Sequence, residues 1–242
     1  MRFKLKKTGN EYILALAINI ALFLIFILLF EPTAKSDDYD MMLVLYGGWN
    51  GEYSPFLLYS NPLYGMFLSA LMRLMPAVPW YFVIQYALML WGMTLVTGIF
   101  LKKSGIPAWL VIFLLAFVYY ECFIRITFTK TAGLLVICGL LTLFYLIDTY
   151  DRFSFRYLEG IILIAMGGLI RSATLRLCLL TFAGGFIVFA LDRIRQRSGM
   201  PVEERNRKLI QKTAIFASLA LLISLLVPLK SSIGIFLPKI RL

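Results

Sequence analysis

The chain has 242 residues, 61% hydrophobic and 15% charged, with a mean hydropathy of +0.84, which excludes an ordinary soluble domain and a disordered chain. Its net charge of +11, from 24 Lys and Arg against 13 Asp and Glu, reads as membrane orientation and headgroup contact. It has no histidine, which removes imidazole bases, imidazole metal ligands and Ser/His or Cys/His nucleophile pairs.

In chain order, Arg2, Lys4, Lys6 and Lys7 precede an apolar run over 12–30, long enough to span and too long for a cleaved signal, so it is expected to be an uncleaved anchor. Further apolar segments lie near 61–76, 79–101, 107–126, 131–149, 156–171, 174–191 and 213–229. The basic N-terminus and the loop 192–212, with Arg193, Arg195, Arg197, Arg205, Arg207, Lys208 and Lys212, should both be cytoplasmic, which requires an even number of crossings between them. Segment 61–76 is short, begins Asn61-Pro62, contains Arg73 and ends at Pro76, so it is predicted as an interfacial or re-entrant helix. Its residues Leu63, Phe67, Leu71 and Leu74 form one stripe. The prediction is an all-α polytopic bundle, a single membrane domain over 1–242: span one at 12–30, an outer loop at 31–78 with interfacial helices, spans two to seven within 79–229, and an outer tail at 230–242. The N-terminus is inside and 15 of the 24 basic residues are cytoplasmic. Cys122, Cys138 and Cys178 are widely spaced in apolar runs and indicate neither a disulfide framework nor a thiolate metal site.

The outer loop reverses the sign of the chain: between 31 and 60 it holds Glu31, Asp37, Asp38, Asp40 and Glu52 against Lys35 alone. Ser36-Asp37 is expected to cap a short helix running to Gly47-Gly48. Acids crowded at an interface disfavour one another's ionised forms, which would make one of them a general base. The same acids suit oxygen ligation of a divalent cation, Mg or Mn, and also suit plain solvated charges at a helix N-terminus. Tyr39, Tyr46, Trp49, Tyr53, Phe56, Tyr59 and Tyr64 supply aromatic faces that fit sugar rings or an interfacial belt.

Arg125 and Lys130, then Arg171 and Arg176, fall in two short outer turns, against the positive-inside tendency. A bound lipid phosphate would account for them through charge-assisted hydrogen bonds; snorkelling to anionic lipid is the other account. The basic residues are divided among loops on both sides of the bilayer, so nucleic acid is no partner.

An N-terminal span, an outer loop with an early acidic pair, interfacial helices and six further spans resemble the shared module of the GT-C superfamily of membrane glycosyltransferases. The runs Asp37-Asp38-Tyr39, Tyr59-Ser60-Asn61-Pro62-Leu63, Phe128-Thr129-Lys130-Thr131-Ala132-Gly133 and Gly168-Leu169-Ile170-Arg171 look similar to bacterial members. The resemblance implies a polyprenyl-phosphate sugar donor, a glycan, lipid or protein acceptor, and a plasma-membrane location. Asp37 or Asp38 would be the catalytic acid of the first loop, and Arg171 the basic residue near the donor phosphate. Asp40, Trp49, Tyr53, Arg125, Lys130 and Arg176 would complete substrate binding. Such enzymes usually continue with more spans or a soluble domain, so this chain is expected to be a minimal or truncated module. A non-catalytic carrier or flippase for a lipid-linked sugar, or a partner subunit of an envelope glycan assembly, is the alternative. Membrane acyltransferases and polysaccharide ligases resemble histidine-dependent designs and fit less well.

Overall fold

The computed structural model describes residues 11–48, 51–102, 108–149 and 155–183. Trp49, the basic N-terminus, the loop 192–212, the segment 213–229 and the tail 230–242 lie outside the described residues. Helix α1 (Glu11–Leu29) is followed by α2 (Ser36–Tyr46), α3 (Pro62–Leu74), α4 (Trp80–Lys102), α5 (Ala108–Tyr119), α6 (Phe128–Thr149) and α7 (Arg156–Ile170). An eighth helix, α8, is described over Ser172–Ala183. The described part is thus overwhelmingly helical. Its strand pairing, among the described residues, is a two-residue parallel pair, β1 (Thr33–Ala34) with β2 (Arg125–Ile126), in the register Thr33 to Arg125.

Among the described residues, three helices are long and apolar enough to cross a membrane: α1, α4 and α6. Trp109–Ile124 and Ser172–Ala183 are apolar but shorter. Helix α7, at 15 residues, rises about 22 Å and falls short of a bilayer core of about 30 Å. Segment 61–76 forms α3, only 13 residues long. Tyr64, Leu68 and Met72 are buried against the protein, while Leu63, Phe67 and Leu74 are exposed. The stripe read from the sequence is therefore the face turned away from the protein.

Local chemistry explains the ends of the two short helices. Asn61 caps α3, its Oδ1 accepting the Leu63 N–H at 3.0 Å, and Pro62 occupies the first helical position, where no N–H is needed. Helix α2 stops at Gly47 (φ 72), which lets the Gly48 N–H return to the Leu43 carbonyl at 2.8 Å. A side chain at Gly47 would meet the Glu52 backbone at 2.7 Å. The expected cap at the other end of α2 is absent: Lys35 holds the N-cap position and no side chain caps the helix. Ser36 lies inside the first turn, so its hydroxyl is not placed as a cap.

The closest helix pair is the antiparallel α6–α7 hairpin. Gly139 faces Gly160 and Ile164, and Gly167 faces Val136 and the Ala132 carbonyl. A Cβ on Gly139 would stand 2.7 Å from the Gly160 carbonyl oxygen, so the backbones touch only because these positions are bare. Between α1, α4 and α5 the contact is polar. Asn19 Nδ2 donates to the Ala15 carbonyl at 2.7 Å and to Thr97 Oγ1 at 3.1 Å. Tyr119 Oη is 2.8 Å from Asn19 Oδ1 and 3.0 Å from the Asn19 carbonyl.

Candidate functional site

Successive residues of a helix point about 100° apart, so neighbouring acids at the start of α2 cannot share one environment. Asp37 is exposed, Asp40 is half-buried and Asp38 is 0% exposed. Asp38 Oδ1 accepts two hydrogen bonds, from Tyr81 Oη of α4 at 2.8 Å and from the Phe128 N–H of α6 at 2.9 Å. The second is an N-terminal cap supplied by another helix: Asp38 satisfies the first N–H of α6, while Thr127 Oγ1 accepts the Lys130 N–H at 3.3 Å.

Asp38 Oδ2 has no hydrogen-bond partner, and neither do the buried Tyr64 and Ser60 hydroxyls. Gln85 lies one turn beyond Tyr81; its Oε1 accepts from Thr131 Oγ1 at 2.7 Å, and its Nε2 lies toward Tyr81 without a well-formed bond. Burial pushes the Asp38 carboxyl upward from its ordinary value, opposed by the Tyr81 and Phe128 hydrogen bonds. The neighbouring Asp37 charge raises it further but contributes less than burial. Crowding among acids, the cause expected from the sequence, is therefore secondary: Asp37 points into solvent. Burial, then the nearby Asp38 charge, also pushes the Tyr64 phenol upward.

On the other side of the same α6 N-terminus stands Arg171, in extended backbone just after α7. Its guanidinium donates to Thr129 Oγ1 and lies 4.9 Å from the centre of the Phe128 ring and 5.7 Å from that of Tyr59. The Tyr59 and Phe128 rings stack at 5.6 Å. The Asn61 N–H donates to the Leu169 carbonyl at 2.8 Å, which ties the outer-loop segment to the end of α7. Asp38 and Arg171 thus meet consecutive residues, Phe128 and Thr129.

Lys130 and Arg125 are used differently from expectation. Lys130 Nζ binds Glu121 Oε2 at 2.9 Å and the Glu121 carbonyl at 2.8 Å, and Arg125 lies 3.4 Å from Glu121 Oε1. Glu121, in the π-helical turn Tyr120–Ile124 that ends α5, therefore offsets part of the charge assigned to a phosphate. Arg176 is exposed on α8, its Nε 3.4 Å from the Ser172 carbonyl, and Tyr53 is exposed in the loop. Neither is drawn into the cluster by the contacts described.

The acids do not suit a divalent cation. Asp37 and Asp38 diverge, Asp38 Oδ1 is committed to two donors, and among the described residues no three acids or cysteines converge where a metal ion would sit.

Reading the sequence missed Glu121, Tyr81 and Gln85, and took Tyr64 for an aromatic face of the loop, whereas its ring is buried and its hydroxyl lies beside Asp38. Glu121 and Arg125 stand four residues apart, a visible ion-pair spacing. Tyr81 and Gln85 repeat at the same spacing on one face of an otherwise apolar helix, which marks a polar seam. The chain matches no family model, and no curated protein or solved structure is significantly similar to it.

Proposed function

We propose that this chain is a seven-span membrane glycosyltransferase of GT-C type, with its N-terminus cytoplasmic, acting on the outer face of the bacterial plasma membrane. The observation that carries the reading is the convergence of Asp38 of α2 and Arg171 on the consecutive residues Phe128 and Thr129, with the exposed Asp37 next to Asp38 in the chain. In this scheme an acceptor hydroxyl, on a glycan, lipid or protein, attacks the anomeric carbon of a polyprenyl-phosphate sugar. The bond from that carbon to the phosphate oxygen breaks, its electron pair leaves with the lipid phosphate, and the configuration inverts. The exposed Asp37 takes the hydroxyl proton, because Asp38 has no accessible surface to offer an acceptor. Arg171, held by Thr129 and the two rings, steadies the departing phosphate. Asp38 acts beneath them as the residue that holds α2 to α6.

The test is transfer from polyprenyl-phosphate sugars in reconstituted vesicles. Asp37→Asn should lower the rate by about 10²-fold or more, in line with loss of a general base. Arg171→Ala should cost a comparable factor. Transfer at the parental rate by folded Asp37→Asn protein ends this reading. The alternative, a non-catalytic carrier or partner subunit, draws on Glu121, which commits Lys130 and Arg125 to an internal ion-pair cluster. Movement of lipid-linked sugar across vesicles without any product would favour it.

A further inference from the structure

A carboxylate removed from water needs donors for both oxygens or a paired cation. Asp38 has donors for one oxygen only: Tyr81 and the Phe128 N–H both address Oδ1, and Oδ2 stands buried and unpartnered. The surrounding groups do not supply the missing positive charge. From its own helix come Lys35, exposed and making the smallest contribution, and Asp37, which repels. Helix α3 presents the Tyr64 hydroxyl, α4 presents Tyr81, and α6 presents a helix N-terminus that already addresses Oδ1. Among the described residues, no salt bridge reaches Asp38.

We propose that Asp38 is a buried proton-binding site, in which the unpartnered Oδ2 takes up and holds a proton from solvent. The inference goes beyond sugar transfer and does not rest on it. The step is a simple acid–base equilibrium at one oxygen, with Oδ1 remaining the acceptor for α4 and α6 in both states.

The experiment is an infrared pH titration of the full chain in lipid nanodiscs, with ¹³C-labelled aspartate. The expected result is a protonated aspartate carbonyl band that persists above the ordinary aspartate value of about 3.9 and is missing from Asp38→Asn. Identical spectra for the parent and a folded Asp38→Asn at every pH overturn the proposal. Tyr81→Phe provides a second arm that leaves the carboxyl in place. It removes a donor that favours the ionised form, so the band should survive to higher pH than in the parent; an unmoved band overturns the proposal.

Discussion

Two buried polar clusters, both built from side chains of different helices, use their hydrogen-bonding capacity in opposite ways. At Asn19, Thr97 and Tyr119 every side-chain nitrogen and oxygen has a partner. At Asp38, Tyr81, Gln85 and Thr131 the bonds are as short, yet Asp38 Oδ2 and the adjacent Tyr64 hydroxyl are unmatched. The first cluster is closed and contains no carboxyl, amine or guanidinium; it glues α1 to α4 and α5, as polar side chains do inside membranes. The second is open-ended and holds a carboxyl, and it lies next to Arg171, which sits beside the stacked Tyr59 and Phe128 rings. Unspent hydrogen-bonding capacity, more than burial or polarity, is what separates the two clusters.

Truncation should separate the two most strongly. Asp38→Ala strands the Tyr81 hydroxyl and the Phe128 N–H together, and at about 1–3 kcal/mol for each buried donor it should cost roughly 2–5 kcal/mol in thermal or denaturant unfolding in detergent. Asn19→Ala should cost about 1–3 kcal/mol by the same measurement. Replacing both partners with apolar shapes, Asn19→Leu with Tyr119→Phe, should recover most of that loss. A double mutant as unstable as the sum of its singles would show that this cluster is more than glue.

The pH dependence should differ as well. A carboxyl whose value is raised by folding stabilises the native state fully below the unfolded value of about 3.9. That contribution is lost as pH rises through the folded value, so unfolding temperature should fall over this window. Asp38→Asn should flatten that fall while costing under about 1 kcal/mol, because its Oδ1 still accepts both bonds. Changes at Asn19 should leave the slope alone. Thr127→Ala, which removes the second cap of α6, should cost about 1 kcal/mol and leave the pH dependence unchanged.

Much of the frame was legible in the residues. Among the described residues the apolar runs became helices, Asn61-Pro62 began α3, and Gly47-Gly48 ended α2, because caps and bare glycines act over a few residues and show in the sequence. The acidic pair and Arg171 were also visible, but not their division of labour. Which of Asp37 and Asp38 turns inward depends on how α2 docks on α4 and α6, a contact between residues far apart in the chain. Lys130 and Arg125 suggested a phosphate because they lie beyond a span. Glu121 competes for them only because the π-helical turn brings its carboxylate and carbonyl to Lys130.

The bond from Phe128 to Asp38 joins residues 90 positions apart. At synthesis rates of about 5–20 residues per second, Asp38 leaves the ribosome roughly 5–20 s before its partner exists. During that interval α2 has neither its tie to α6 nor the Tyr59–Phe128 stack above it, and β1 has no strand to pair with. A newly made chain halted before Phe128 would hold Asp38 through Tyr81 alone, with one of its two donors still missing.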